Sequence, residues 1–179
     1  HPNLQIKFLG CENSPSKDIR EFDQNIVIDT LPKLDLNNNF DPKNYDLVFL
    51  SLPHGVSHKF VKNFYRKIKI IDLSADFRLD SEKLYSKNYN NDHACPELLN
   101  QFIYGLPEIN KDVLNTNFDV AVPGCYPTSV LIPLIPLLEK NLIKTDNIII
   151  DSKSGYSGAG KKFDLNNIKN KLEFNFYNS

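Results

Sequence analysis

The stretch that indicates the fold most directly is "VAVPGCYPTSVLIPLIPLLE", residues 120–139. The apolar residues around its start predict a strand over 118–122, and the part after the Pro-Gly-Cys turn predicts a helix from Pro127 to Lys140. Proline suits the first turn of a helix because its missing N–H would have no partner there. The stretch therefore predicts a strand, a tight turn and a helix, with Cys125 where the helix begins.

The same alternation recurs along the 179 residues of the chain. Five more short apolar runs predict strands, at 4–9, 25–29, 46–52, 68–74 and 147–152, and residues 57–67 predict a helix. Several runs are almost continuously apolar, as strands buried on both faces of a parallel sheet are. The pattern predicts an α/β fold with a doubly wound parallel sheet.

Polar stretches separate these elements. The segments 34–46 and 85–97 are polar and rich in Asn, and they are interpreted as surface connections. After Asp151 the chain becomes rich in Gly and Ser, which predicts a domain transition near 145–155. A flexible linker is the alternative interpretation of that Gly- and Ser-rich loop.

Composition excludes several classes of protein. A net charge of −1, with 41% hydrophobic and 24% charged residues, is typical of a soluble globular protein and argues against a nucleic-acid partner. No apolar run is long enough to span a membrane, and the start of the chain has no signal-peptide pattern, so the cytoplasm is the expected location.

Cysteine usage points away from disulfides and metals. The three cysteines are widely scattered and form no CxxC pair, so neither a disulfide framework nor a zinc site is predicted, and one cysteine could be a nucleophile. Cys125 is the candidate because helix-terminal N–H groups and the helix dipole stabilise a thiolate. A small buried cysteine in a turn is the alternative.

Two further turns hold candidate ligand-binding residues. In "FLSLPHGVSHKF" (49–60) the turn around His54 follows a predicted strand, at the sheet edge where doubly wound folds bind ligands. In "IIDLSADFRLD" (70–80) Arg78 has the same relation to a strand and could bind phosphate. An incidental histidine and a surface or ion-paired arginine are the alternatives.

Five motifs carry a resemblance to a known family. They are "SLPHGVS" (51–57), "IDLSADFRL" (71–79), "YGLPE" (104–108), "PGCYPT" (123–128) and "SGYSGAGKK" (154–162). In this order and spacing the chain resembles the N-acetyl-gamma-glutamyl-phosphate reductase family over essentially its whole length. It is more distantly similar to aspartate-semialdehyde dehydrogenases.

The resemblance implies a Rossmann-type NADP-binding domain over 1–146 and the start of an α+β substrate and dimerisation domain over 147–179. The implied reaction is the NADPH-dependent reduction of N-acetylglutamyl 5-phosphate to N-acetylglutamate 5-semialdehyde in arginine biosynthesis, with release of phosphate and with a thioester on a cysteine as intermediate. A homo-oligomer, dimer or tetramer, is implied as well. The motifs "YGLPE" and 93–97 are assigned structural roles.

The resemblance also assigns the site residues. Cys125 would be the nucleophile and Arg78 would bind the substrate phosphate. The residues that would contact the cofactor are Ser51, Leu52, Pro53, His54, Ser154, Gly155 and Gly158.

Departures from the family pattern qualify the expected activity. The family's first strand with its Gly-rich turn, and its histidine-containing general acid/base segment, are expected to lie before His1 and after Ser179, so the isolated chain is expected to be inactive. Val122 also replaces an asparagine that is usual before the Pro-Gly-Cys turn. Reductases of aminoadipyl or aspartyl phosphate, and a non-catalytic binding module, are the alternative functions.

Overall fold

The computed structural model describes residues 1–115, 119–155 and 158. They belong to two compact units, one from His1 to Pro123 and the other beginning at Gly124. The predicted domain boundary at 146 stays a prediction.

The strands are β1 (Leu9–Cys11), β2 (Leu34–Leu36), β3 (Leu47–Leu50), β4 (Lys69–Asp72), β5 (Phe102–Tyr104) and β6 (Asp119–Ala121). The helices are α1 (Ser57–Phe64), α2 (Glu82–Tyr89), α3 (Pro107–Leu114) and, in the second unit, α4 (Cys125–Glu139).

Four parallel strands form the main sheet of the first unit, in the order β3-β4-β6-β5. Leu50 lies opposite Asp72, and Asp72 lies opposite Ala121. Three neighbouring strands therefore end level with one another, so the turns that follow them meet at one edge of the sheet. The predicted α/β fold with a parallel sheet is confirmed.

The core of this unit lies between the sheet and the segments around it. Its buried members are Phe40, Leu50, Val61, Ile68, Ile70, Phe77, Cys95, Leu99, Phe102 and Ala121. Ile70 in β4 has no exposed surface, so the core covers the face of the strand that it occupies. The apolar runs 46–52, 68–74 and 118–122 thus correspond to β3, β4 and β6, and each of these strands contributes a buried residue to this core.

The interpretation of 85–97 as a surface connection is wrong. The segment includes the second half of α2, and Tyr85, His93 and Cys95 are buried. Its Asn and Lys residues face outward while the aromatic, imidazole and thiol groups pack inward. The average polarity of the segment does not show which side chains face outward and which face inward, so the buried residues were missed.

Two predicted strands are absent from the described residues. Residues 25–29 form no strand, and Val27 is 85% exposed. Residues 147–152 form none either, and Ile149 is 93% exposed. A strand needs a neighbour for its backbone N–H and C=O groups, and in the described part of the chain neither run has one.

The first strand is also displaced from its predicted place. The structure puts β1 at Leu9–Cys11 rather than 4–9, because the backbone of Leu34–Leu36 pairs with it there in parallel. That partner, β2, lies at the start of the segment 34–46, so the interpretation of this segment as a surface connection is also wrong, and Leu34 and Phe40 are buried. The apolar residues Leu4 and Ile6 are left largely exposed.

The two predicted helices are confirmed with shifted ends. The first, α1, begins at Ser57 as predicted but ends at Phe64, and Arg66 has a left-handed φ of 62° that a helix cannot continue through. The second, α4, begins two residues before Pro127. Helices α2 and α3 and strand β5 were not predicted. In the described residues, no helix combines the length and apolar character that crossing a membrane requires.

Candidate active site

The carboxyl edge of the main sheet brings three turns together. The backbone N–H of Leu73 donates to Leu50 O at 2.9 Å, and the N–H of Val122 donates to Asp72 O at 2.8 Å. These bonds extend the sheet ladder past the ends of β3, β4 and β6. The turns after the three strands are therefore held side by side.

The turn after β3 contains the four residues predicted to contact a nucleotide in this unit. Ser51, Pro53 and His54 are exposed, whereas Leu52 is partly buried against the core. His54 Nδ1 accepts a hydrogen bond from Ala75 N at 3.1 Å. The neutral ring of His54 therefore carries its proton on Nε2, and the turn after β4 fixes the orientation of the ring.

Gly55 allows this turn to reverse direction. Its φ is +77°, a conformation that residues with a Cβ rarely adopt, and a Cβ there would overlap the side-chain amide of Asn91. The Val56 N–H then donates to Pro53 O at 3.1 Å. Glycine at position 55 is thus required by the backbone path of the turn.

A buried carboxylate, Asp72, ends β4. Its Oδ1 accepts from Ser57 Oγ at 2.7 Å and from Ser74 N at 3.0 Å, and its Oδ2 accepts from Ser74 Oγ at 2.7 Å. Burial raises the pKa of the Asp72 carboxyl, and the bonds from the two serines oppose that rise. Asp72 joins the start of α1 to the turn after β4.

A second buried carboxylate, Asp76, lies four residues farther along. It accepts hydrogen bonds from the N–H groups of Gly55 and His58 and from the hydroxyl of Tyr85. Burial, and then the bond to Asp76, raises the pKa of the Tyr85 hydroxyl. The hydroxyl therefore remains protonated and continues to donate to the carboxylate.

Two buried histidines pack beside Asp76, with ring centroids 4.7 Å apart. Ala94 N donates to His58 Nδ1 at 3.1 Å, and Cys95 N donates to His93 Nδ1 at 3.3 Å. In both neutral rings the proton is therefore on Nε2. The Nε2–H of His58 donates to Gly55 O, and that of His93 donates to the backbone O of Asp76.

Protonation of the His93 ring is unfavourable. A second proton would face the donor N–H at Nδ1, and burial, followed by the nearby His58 ring, lowers the pKa of His93. Within the described residues, no three His, Cys, Asp or Glu side chains are arranged to hold a metal ion. The buried cluster around Asp76 is a hydrogen-bonded scaffold.

Arg78 connects the turns after β4 and β6. Its Nε donates to Val122 O at 2.7 Å, and its Nη2 donates to Leu73 O at 2.9 Å. The side chain is partly exposed. The guanidinium therefore fixes the backbone just before the Pro-Gly-Cys turn and retains N–H groups of Nη1 and Nη2 for an anion.

In the second unit, Cys125 is the first residue of α4 and is exposed. Gly124 precedes it in an extended conformation, with φ −71° and ψ 164°, and Gly124 O accepts from both the N–H and the hydroxyl of Thr128. By contrast, burial raises the pKa of Cys95 to about 11. Of these two thiols, only that of Cys125 is exposed to a reagent or substrate.

The loop predicted to meet the cofactor follows in the same unit. Ser154, Gly155 and Gly158 are exposed, and Gly158 N donates to Gly155 O at 2.9 Å. A Cβ at Gly158 would overlap Ser154 Oγ, so the backbone turns closely around that hydroxyl. The remainder of 154–162 lies outside the described residues.

The structure therefore brings together Ser51–His54 and Arg78 within the first unit, and it describes Cys125 and the 154–158 loop within the second. The residues that sequence reasoning missed are the partners of Asp76, namely His58, Tyr85 and His93. A signal for Asp72 and Asp76 existed, since two carboxylates separated by Leu-Ser-Ala stand at the end of an apolar run. No comparable signal marked the other three.

The family of the chain follows from its match to a family model. The model described as "Semialdehyde dehydrogenase, NAD binding domain" matches residues 1–117. The chain belongs to the semialdehyde dehydrogenase family. A second model, "Semialdehyde dehydrogenase, dimerisation domain", matches residues 125–178 of this family member.

Curated relatives of this semialdehyde dehydrogenase chain are named N-acetyl-gamma-glutamyl-phosphate reductase. The protein of Ehrlichia canis (strain Jake) is 42% identical over 172 residues, which cover 94% of this chain and 49% of the relative. That of Caldicellulosiruptor saccharolyticus is 46% identical over 169 residues, covering 92% and 48%. The probable chloroplastic protein of Oryza sativa subsp. japonica is 40% identical over 161 residues, covering 90% and 39%.

These relatives confirm the resemblance predicted from the five motifs. The chain spans 39–49% of the length of the three relatives, which is half or less of each.

Proposed function

We propose that the protein to which this chain belongs is an NADPH-dependent N-acetyl-gamma-glutamyl-phosphate reductase of arginine biosynthesis. The observation that carries the proposal is the exposed Cys125 at the first position of α4, in a chain whose relatives bear that name. A thiolate there has the exposure and the helix-terminal setting that covalent catalysis requires.

The proposed reaction has two stages on Cys125. Its thiolate sulfur forms a bond to the acyl carbon of the substrate, and the bond from that carbon to the phosphate oxygen breaks, which leaves a thioester and free phosphate. The thioester carbon then accepts a hydride and becomes a hemithioacetal oxyanion. Collapse of the oxyanion breaks the C–S bond, releases the semialdehyde and restores the thiolate.

The cofactor would supply that hydride when bound, and the turn after β3 has groups that suit a nicotinamide dinucleotide. Ser51 and His54 offer exposed hydrogen-bonding groups, and Leu52 and Pro53 offer apolar surface beside them. His54 Nε2–H can donate to the nucleotide because Nδ1 accepts from Ala75 N. We propose that these four residues hold the nucleotide.

The loop in the second unit is proposed to serve the nicotinamide end. Ser154 offers a hydroxyl, and Gly155 and Gly158 allow the backbone to approach a flat ring closely. The preference for NADP over NAD belongs to the proposal.

Arg78 is proposed to bind the substrate phosphate. Two of its nitrogens already donate to backbone carbonyls, which fixes the plane of the guanidinium before an anion arrives. Neither His58 nor His93 supports a role in proton transfer, because both ring nitrogens of each are hydrogen-bonded to backbone groups.

The protein is also proposed to act as a homo-oligomer in the cytoplasm. The match of residues 125–178 to a dimerisation domain supports the first part. Gel filtration with light scattering of the complete gene product would test it, and a monomer at micromolar concentration would contradict it.

The function is tested by assaying the complete gene product in the oxidative direction. Phosphate-dependent reduction of NADP with N-acetylglutamate semialdehyde is expected, with much lower rates for the aminoadipate and aspartate semialdehydes. A preference for either of the latter would reassign the substrate. Absence of turnover with all three would favour a non-catalytic protein.

Thiol labelling tests the role of Cys125 separately. With iodoacetamide at neutral pH, Cys125 is expected to react before Cys11, which is partly buried, and before Cys95, which is buried. Peptide mapping gives the three rates. Equal rates for Cys125 and Cys11 would contradict the proposed thiolate.

A further inference from the structure

Helix α1 begins without a cap from its own N-terminal residues. Val56 occupies the N-cap position, and its side chain makes no capping hydrogen bond. The first N–H groups of a helix have no partner within the helix, so they need acceptors from elsewhere. In many nucleotide-binding folds a phosphate accepts from such groups.

Here the acceptor is Asp76, which belongs to the turn after β4. Its Oδ2 accepts from His58 N at 3.0 Å, and Gly55 N donates to both carboxylate oxygens, at 2.9 and 3.1 Å. Tyr85 Oη donates to Oδ1 at 2.9 Å, and Asp76 has no exposed surface. Both oxygens are therefore occupied inside the protein.

Gly55 is held from both sides by this arrangement. Asp76 accepts from its N–H, and the Nε2–H of His58 donates to its carbonyl oxygen at 2.8 Å. Gly55 is the residue with φ of +77° that reverses the chain directly after His54. The backbone from Pro53 to Ser57 is consequently fixed by buried side chains before any ligand binds.

We propose that Asp76 is a positioning residue that shapes the turn Ser51–His54 for the nucleotide, and that its carboxylate occupies the N-terminus of α1 in place of a ligand phosphate. The proposal rests on the proposed function only in taking this turn as the nucleotide contact. It follows that the nucleotide is contacted by the exposed side of 51–54 and receives no hydrogen bond from the N–H groups of Gly55 and His58, which Asp76 occupies.

Asp76→Asn is the variant that tests the proposal. Asparagine keeps the shape but replaces one accepting oxygen with an NH₂ group, which would face backbone N–H donors. One backbone N–H would then have no acceptor, and the turn 51–54 would shift. NADP binding should weaken about tenfold, as measured by isothermal titration calorimetry of the complete gene product. KM for NADP should rise by a similar factor, and kcat should change much less.

Asp119→Asn is the matched control. Asp119 is also a buried carboxylate that accepts from a backbone N–H, that of Ile70 at 2.8 Å, but it begins β6 at the opposite edge of the sheet. This variant should lose stability and keep the Kd for NADP within about twofold. An equal loss of NADP affinity in both variants would mean that Asp76 acts only through general stability and would overturn the proposal. A folded Asp76→Asn variant with unchanged Kd would do the same.

If Asp76→Asn does not fold, hydrogen exchange of the unaltered protein tests whether the turn is held in place before NADP binds. Peptides that cover 54–59 should exchange slowly without NADP, because buried acceptors hold the amides of Gly55 and His58. Fast exchange that becomes slow only on adding NADP would overturn the proposal. Binding and exchange need no acyl phosphate, so NADP binding without reduction of acetylglutamyl phosphate would refute the proposed substrate and leave this inference standing.

Discussion

The starts of α1 and α4 use the same strand, turn and helix arrangement for two different purposes. At α1, Asp76 accepts from the N–H of His58 and has no exposed surface. At α4, the N-cap residue is Gly124, which has no side chain, and Cys125 directly after it is exposed. One helix start is closed by an internal anion and the other presents a thiol, so the arrangement itself does not determine a function.

The largest expected effect belongs to α4. Cys125→Ser should lower kcat for acetylglutamyl phosphate on the order of a thousandfold or more, because a hydroxyl at that position is not ionised and forms no thioester. Steady-state kinetics of the complete gene product measure the change. Cys11→Ser, in β1, is the control and should stay within about twofold of the unaltered enzyme. A comparable loss of kcat in the Cys11→Ser control would contradict the assignment of Cys125 as the nucleophile.

Replacing the glycine before each helix by alanine should change the free energy of unfolding by different amounts at the two helix starts. Gly55→Ala should lower the free energy of unfolding by about 2–3 kcal/mol, since φ of +77° is strained for alanine and the new Cβ would meet Asn91. Gly124→Ala should cost only about 0.5 kcal/mol, because φ of −71° is ordinary for any residue. Urea unfolding measures both, and equal losses would contradict the difference.

The link between the turns is tested at Arg78. Arg78→Lys should raise KM for phosphate about tenfold in the oxidative direction, because lysine cannot bridge Val122 O and Leu73 O and still present a planar fork to an anion. The Kd for NADP should not change. A loss of stability with unchanged KM for phosphate would restrict Arg78 to holding the backbone.

The smallest effect concerns the acid sensitivity of the closed helix start. The folded-state pKa of His93 is lowered, so the unfolded chain binds the proton first as pH falls. Its contribution is complete above about pH 6.5, falls by up to about 1.4 kcal/mol per pH unit below that, and levels off below the lowered pKa. His93→Gln should flatten this slope in urea titrations between about pH 7.5 and 5. An unchanged slope would assign the effect to another group.

The sequence predicted the sheet better than its surroundings, for reasons that particular residues illustrate. Strands β3 and β4 lie in apolar runs and each contributes a buried residue to the core, Leu50 and Ile70, so the runs identify these elements directly. The run 25–29 is equally apolar but has no partner strand in the described residues, and pairing is not a property of a single segment. The predicted end of α1 was wrong because Arg66 has a left-handed φ, which the sequence pattern does not show.

The candidate site shows the same division. Cys125, His54 and Arg78 were predicted because each follows a strand in a recognisable turn. His58, Tyr85 and His93 were missed because their role depends on contacts with Asp76 across 9 to 18 residues of sequence. Motifs identify residues that meet a ligand, whereas the residues that hold those motifs in place are found only in the folded structure.

Trapping the thioester tests whether Cys125 carries the acyl group. The complete gene product is mixed with N-acetylglutamyl phosphate in the absence of NADPH, quenched in acid and analysed by peptide mass spectrometry. An acyl adduct is expected on the peptide that contains Cys125, formed together with an equal amount of phosphate. Phosphate release without an adduct at Cys125, or an adduct on Cys11 or Cys95 instead, would contradict this role of Cys125.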